Sequence, residues 1–464
     1  MNLRFHLLIS LFLCFHQIIS GNEIILRVTE KKITVQGKES SVFAITQPDG
    51  TFGLYLKKEQ SFEVKLQNHL KVPTSVHWHG LILPNNQDGV AFVTQFPIYP
   101  GLAYLYKFPI LQEGTFWMHS HVGLQEQKLL SAPLIIHGPK DVKIADQEVV
   151  ILLSDFTFKS PETIFQNLKC NNQQGMHENM KHMQDIVEVE YDAFLSNYHT
   201  LEDPEVIEVK PGSKVRLRVI NGSSATNFFV LLGTLEGEAI AVDGNRIHSL
   251  RGTDFELSIA QRIDIVVKIP LQGGSFPILA QGEGTDLQTG VILRTKDANI
   301  PSLSSKAKLK AKGLTNAQES KLHALTPLSD RTIDKRLSVD LGGNMQEYIW
   351  TLNGQCWPEV TPLIVEKGQR VEITFVNTSN MSHPMHLHGH VFQVTAIDGK
   401  SINGAMRDTV LVMPKSSLTI QFDANNPGVW PLHCHVLYHL EAGMMTVLRY
   451  KDFVQSLDIP LVKN

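Results

Sequence analysis

A short pattern recurs three times along the chain: Lys58–Asn68 (KEQSFEVKLQN), Lys210–Asn221 (KPGSKVRLRVIN) and Lys367–Asn377 (KGQRVEITFVN). Each copy is a turn followed by apolar/polar alternation that ends in Asn, the period of a half-buried strand. Aligning Glu59, Gly212 and Gly368 brings Asn68, Asn221 and Asn377 into register, at a repeat length of about 155 residues. A chain of 464 residues holds about three such units. Further β-rich runs, at Glu148–Leu153, Ile263–Ile269, Val391–Ile397 and Thr409–Val412, are punctuated by Gly, Pro, Asn and Asp. The expectation is an all-β chain of three β-sandwich domains, at 22–143, 144–299 and 336–464. Residues 300–335 hold a Ser-, Lys- and Ala-rich stretch without alternation and read as a linker. Ser160–Tyr191 also breaks the strand pattern and reads as polar and partly helical.

Residues 1–21 read as a secretory signal peptide. Arg4 precedes an apolar run from Leu7 to Phe15, and the small residues Ser20 and Gly21 follow. The run is short for a membrane span, which needs about 20 apolar residues, and no later stretch reads as one. Without a twin arginine, export by a Sec route to the periplasm is expected. The 42 Lys+Arg nearly balance 46 Asp+Glu, giving a net charge of −4, which leaves no basic footprint for nucleic acid. Four Cys are too few for a disulfide scaffold. A monomer is expected.

Histidine carries the chemistry. With 20 His in the chain, chance predicts about one His-x-His pair. The sequence has His77/His79, His119/His121, His386/His388, His388/His390 and His433/His435, all in the first and last domains. Residues i and i+2 of a strand face one side, so each pair presents two imidazoles together. In His433-Cys434-His435 the thiol faces away from the two imidazoles. Its partners are then His439, Met444 and His383, and two His, one Cys and a weak Met ligand form a blue-copper electron-transfer site. The other eight imidazoles, His77, His79, His119, His121, His386, His388, His433 and His435, are too many for one ion. They suit a cluster of three coppers where the first and third domains meet.

The stretches His77-Trp78-His79-Gly80, His119-Ser120-His121, His383-Pro384-Met385-His386-Leu387-His388-Gly389 and His433-Cys434-His435 resemble the four copper signatures of the multicopper oxidases, in that family's order. The resemblance covers the mature chain and implies three cupredoxin domains, four coppers, and one-electron oxidation of a substrate coupled to reduction of O2 to water. It assigns His383, Cys434, His439 and Met444 to the blue (type 1) copper and His77 and His386 to the type 2 copper. His79, His119 and His435 would hold one type 3 copper, and His121, His388 and His433 the other. It makes Asp88, in Gln87-Asp88-Gly89, similar to the acid that feeds protons to the O2 cluster, and it leaves His390 without a ligand role.

The stretch from His435 to Met444 looks most like the copper-resistance branch. Cu(I), Fe(II) or a phenol is the expected substrate, and a role in copper tolerance is expected with it; non-catalytic copper sequestration is the alternative. Where several relatives place a proton-relaying Glu directly after the blue-site His, this chain has Leu440, with Glu441 one residue later. Asp408 and Glu441 are candidate carboxylates near the blue site. Met176, His177, Met180, His182 and Met183 form a run that either collects Cu(I) through its soft thioethers or packs as an apolar stripe. Cys170 and Cys356 are left over, and their pairing is not legible.

Overall fold

The structure is a computed structural model and describes residues 23–139, 141–170, 187–455 and 462–463. The expected signal peptide and the Met/His run lie outside the described residues. Three pairs of antiparallel and mixed sheets follow one another along the chain. They make three β-sandwiches, as the repeat predicts, of the cupredoxin-like kind that the resemblance implies.

The repeated pattern forms the same central strand each time. Ser61–Asn68, Lys214–Asn221 and Arg370–Asn377 each pair in parallel with an earlier strand, Ile24–Val35, Gln147–Phe156 and Lys335–Asn344 respectively. Each also pairs antiparallel with a later one, Leu102–Pro109, Arg262–Lys268 and Ser417–Asp423. The aligned turn residues share a left-handed backbone, with φ of 74° at Glu59, 77° at Gly212 and 91° at Gly368. Glycine adopts that region freely, whereas Glu59 holds it against its side chain. The terminal asparagines are buried, and each side-chain amide donates to two backbone carbonyls. Asn68 serves Val72 and Ile98, Asn221 serves Thr226 and Leu257, and Asn377 serves Met381 and Val412. A buried carbonyl left without a donor costs about 1–3 kcal/mol, which explains why Asn closes every copy.

The break after the second domain's first strand contains the helix Pro161–Cys170. Ser160 caps it, its Oγ accepting from the Thr163 amide at 3.1 Å, with Pro161 in the first turn and Glu162 at the positive end of the dipole. The segment 301–331 runs along the second domain and is tied to it by single bridges, Ile247–Ala324, Glu283–Ala311 and Leu287–Lys306. Glu319 reaches over to Arg407 of the third domain at 2.6 Å. The first and third sandwiches share one continuous apolar cluster, from Trp78 and Trp117 to Trp350 and Trp430. The second sandwich has its own. The histidine motifs lie where the first and third domains join.

Candidate metal centres

Strand pairing sets the imidazoles opposite one another. Val76–His79 lies antiparallel to Gly114–Ser120 with His77 facing His119, and His383–Leu387 lies antiparallel to Val429–Cys434 with His386 facing His433. The two ladders meet across the domain junction. His77 stacks on His388 and His79 on His386, each with ring centroids 3.8 Å apart. Within the resulting cluster His77, His79 and His386 bring one ring nitrogen each within 4.8 Å of one another. So do His79, His119 and His435, and also His121, His388 and His433.

Six of the outward nitrogens meet oxygen acceptors, His119 Nδ1 on the Ser120 carbonyl at 3.1 Å among them. His77 Nδ1 donates to the Asp88 carbonyl at 2.9 Å, His386 Nδ1 to the Asp408 carbonyl at 2.8 Å, and His433 Nδ1 to the Cys434 carbonyl at 2.9 Å. His388 Nδ1 donates to Asp88 Oδ2 at 2.9 Å and His79 Nε2 to Asp408 Oδ1 at 3.1 Å. Each acceptor fixes the proton on the outward nitrogen, so the inward one carries a lone pair. Among the described residues six inward nitrogens are buried without a partner: Nε2 of His77, His119, His121, His386 and His435, and Nδ1 of His79. The other two, Nε2 of His388 and His433, face each other at 2.9 Å. A core that leaves this many acceptors unpaired is a set of metal donors, and imidazole nitrogen suits copper.

Burial, with the neighbouring imidazoles second, holds His79, His121, His386, His388 and His435 well below the usual histidine range. His433 is pushed down to about 4, also by burial. These six rings are therefore neutral at pH 7, the form that binds metal.

On the opposite face of Val429–Cys434 lies the second centre. Cys434 Sγ is 3.7 Å from both His383 Nδ1 and His439 Nδ1, which are 3.2 Å apart. The far nitrogens are again committed: His383 Nε2 contacts Ser379 Oγ at 2.8 Å, and His439 Nε2 donates to Glu188 Oε2 at 3.1 Å. Met444 is fully buried, and its carbonyl and amide pair with the Cys434 amide and the His439 carbonyl, both at 3.0 Å. Trp350 lies over His439 with centroids 4.0 Å apart. Two imidazoles, a thiol and a thioether fit a mononuclear copper better than a closed zinc site.

Asp88 is fully buried, with Oδ1 3.1 Å from His77 Nδ1 as well as Oδ2 on His388. The turn that presents it needs Gly89, where φ is 85° and a Cβ would collide with the Val76 carbonyl. His390 is spoken for elsewhere, its Nε2 2.8 Å from the Tyr450 hydroxyl. Among the described residues Cys170 and Cys356 form no disulfide.

One expectation fails. Asp408 is not beside the blue site. It sits at the histidine cluster, fully buried and held by Arg262 of the second domain through Nη1–Oδ1 at 2.7 Å and Nη2–Oδ2 at 2.6 Å. Its neighbour Thr409 pairs with His386, and that register turns the Asp408 side chain toward His79. Glu441 ends the helix Leu437–Glu441, which also carries His439, and is exposed on the side of Lys169. The carboxylate that meets His439 directly is Glu188, whose side chain is 3 % exposed and also accepts from the Tyr348 hydroxyl at 3.1 Å. Nothing in its sequence surroundings marks Glu188, which comes from a domain without a histidine pair. Glu126, 3.0 Å from His119 Nδ1, is a second carboxylate that the motifs did not flag, although it lies only five residues beyond His121.

Multicopper oxidase family models match residues 27–141, 147–298 and 330–453. Multicopper oxidase MmcO of Mycobacterium tuberculosis is 34% identical over 407 residues, spanning 83% of this chain and 79% of that protein. Copper resistance protein A of Escherichia coli is 24% identical across 94% of this chain and 93% of its own length. Among solved structures, Fet3p, a multicopper oxidase that functions in iron import, superposes with a TM-score of 0.77 at 22% identity, covering 92% of this chain and 90% of that one. The laccase of Botrytis aclada gives 0.77 at 24% identity, covering 94% and 88%. The chain thus belongs to the multicopper oxidases, a family that binds four coppers, one type 1, one type 2 and two type 3.

Proposed function

We propose that this chain is an exported oxidase that takes electrons singly from a metal ion, cuprous ion foremost, and passes them to O2, with a role in copper tolerance. His383, Cys434, His439 and Met444 would hold the blue copper, His77 and His386 the type 2 copper, and the two remaining imidazole trios the type 3 pair. When bound, the coppers supply a one-electron acceptor at the first site and the four-electron reduction of O2 to water at the second. The chain's own residues do the rest. Cys434 lies between His433 and His435, so a few bonds of backbone join the two sites. Asp88 Oδ2 sits on His388 Nδ1, at the atom where a proton can be handed toward the cluster.

The observation that carries the substrate class is the Glu188 carboxylate on His439 Nε2. A phenol needs an open, apolar approach to the ring edge. Here an acid and Tyr348 close it, and an acid attracts a cation. Both described flanks of the Met/His run lie at this edge: Phe165, on the helix before it, packs against Tyr348 and Tyr438, and Glu188 follows it. That supports Met176, Met180 and Met183 as thioether donors that collect Cu(I).

Oxygen uptake on the copper-loaded protein tests this, with Cu(I), Fe(II) and a dimethoxyphenol as reductants, for the wild type and Glu188→Ala. The expected result is fastest uptake with Cu(I), and a raised KM for Cu(I) in Glu188→Ala with phenol turnover unchanged or faster. Fastest turnover of the phenol by the wild type would contradict the substrate class. Copper binding without O2 uptake on any reductant would leave sequestration.

A further inference from the structure

Three buried carboxylates surround the eight imidazoles. Asp88 spans His77 and His388, and Asp408 serves His79 through its side chain and His386 through its carbonyl. The third, Glu126, has no counterpart in the reading above. Its side chain is 4 % exposed. Oε2 lies 3.0 Å from His119 Nδ1, which also donates to the Ser120 carbonyl at 3.1 Å, and Oε1, without a hydrogen-bond partner among the described residues, stands 3.8 Å from His435 Nδ1. These two imidazoles come from different domains, and both leave Nε2 unpartnered toward the same centre.

The neighbours of Glu126 hold it still. Gln125 Oε1 accepts from Ser120 Oγ and from Thr74 Oγ1, both at 2.8 Å, and its amide donates to the Pro73 carbonyl at 2.8 Å. Gln127 Oε1 accepts from Ser224 Oγ of the second domain at 2.6 Å and from the Tyr438 hydroxyl of the third at 3.0 Å. The two flanking amides pin the turn to all three domains, and the side chain between them has one direction left, inward. An imidazole that donates its far N–H to a fixed carboxylate is locked in both tautomer and ring orientation.

We propose that Glu126 is a positioning residue for the copper held by His79, His119 and His435, aiming one imidazole from the first domain and one from the third at the same ion. The proposal rests on the ligand assignment above. It assigns Glu126 no contact with substrate or O2; it acts through the two rings. Loss of a partner of this kind typically costs about 10–100-fold in metal affinity.

The test is copper retention, read separately from turnover. Wild type, Glu126→Gln, Glu126→Asp, Glu126→Ala and His119→Ala are loaded with copper and dialysed against a graded chelator. Copper per chain, the blue thiolate band and the magnetic signature of the coupled copper pair are then followed. Glu126→Gln keeps an oxygen within reach of His119 Nδ1 and is expected to retain copper like the wild type. Glu126→Asp keeps the carboxyl group but withdraws it beyond hydrogen-bonding distance. It is expected to lose copper from the cluster at about 10–100-fold less chelator, with Glu126→Ala alongside it and the blue band intact in both. Retention by Glu126→Asp with loss by Glu126→Gln would overturn the proposal, since the carboxyl group and not its reach would then matter. Wild-type retention by Glu126→Ala would also overturn it. If Glu126→Ala does not fold, the Gln and Asp pair decides. If His119→Ala also retains every copper, the ligand assignment has failed rather than the role of Glu126.

Discussion

Replacing Arg262 with Met should destabilise the protein through an ion pair that ties the second domain, which has no histidine pair, to the histidine cluster. The guanidinium is fully buried and grips both oxygens of Asp408 at 2.7 and 2.6 Å; Asp408 Oδ1 also accepts from His79 Nε2 and from Thr409 Oγ1. The other acid near Arg262, Asp243, keeps Arg407 at 3.3 Å, so the change strands one carboxylate and not two. Removing one partner of a buried pair costs about 3–5 kcal/mol because the other charge is left without compensation. At about 2–4 °C per kcal/mol for a large domain, the melting temperature of the copper-free protein should fall by on the order of 10 °C. Adding Asp408→Asn removes the stranded charge, so the double variant should recover roughly 0.5–3 kcal/mol relative to the sum of the singles. Thermal unfolding of the four proteins measures this directly. A fall corresponding to less than about 1 kcal/mol in Arg262→Met, or strict additivity in the double variant, would show that the pair is not the strut described here.

Cys434→Ser should lose the visible thiolate band and turnover together, measured by absorption and O2 uptake. His388→Ala should keep the band and lose turnover, because it takes an imidazole from the cluster alone. Asp88→Asn should keep about four coppers and slow O2 reduction by about 10²–10⁴, the usual weight of a positioned proton donor; unchanged turnover at saturating O2 would demote it to a turn residue. The copper-free protein should lose stability as pH falls from about 6.5 toward 4. In that window the unfolded chain takes up protons on its histidines, while burial keeps the folded rings neutral, with His433 down at about 4. Each such histidine contributes a slope of up to about 1.4 kcal/mol per pH unit. Denaturant unfolding at graded pH would show it, and a flat profile would mean that the rings protonate in place.

The repeat was legible because its physics is local. Alternation marks the strand, a left-handed turn opens it, and an Asn at its end closes two loops, three times over. The histidine pairs were legible for the same reason, since residues i and i+2 of a strand share a face. What could not be read is what packing brings in from other domains. Asp408 follows Arg407 in a stretch that carries no sign of which centre it faces, and only strand register turns it to His79. Glu188 reaches His439 across 251 residues, and Arg262 reaches Asp408 across 146. Glu126 lies beside a histidine motif, but its inward aim depends on Gln127 finding Ser224 and Tyr438.

The central claim is that two separate copper centres flank Cys434, and a crystal of the copper-loaded protein measured for copper anomalous scattering tests it most directly. The account predicts one peak among His383, Cys434, His439 and Met444, and three among the eight imidazoles at the junction of the first and third domains. A single peak within the imidazole cluster, or none beside Cys434, would contradict it.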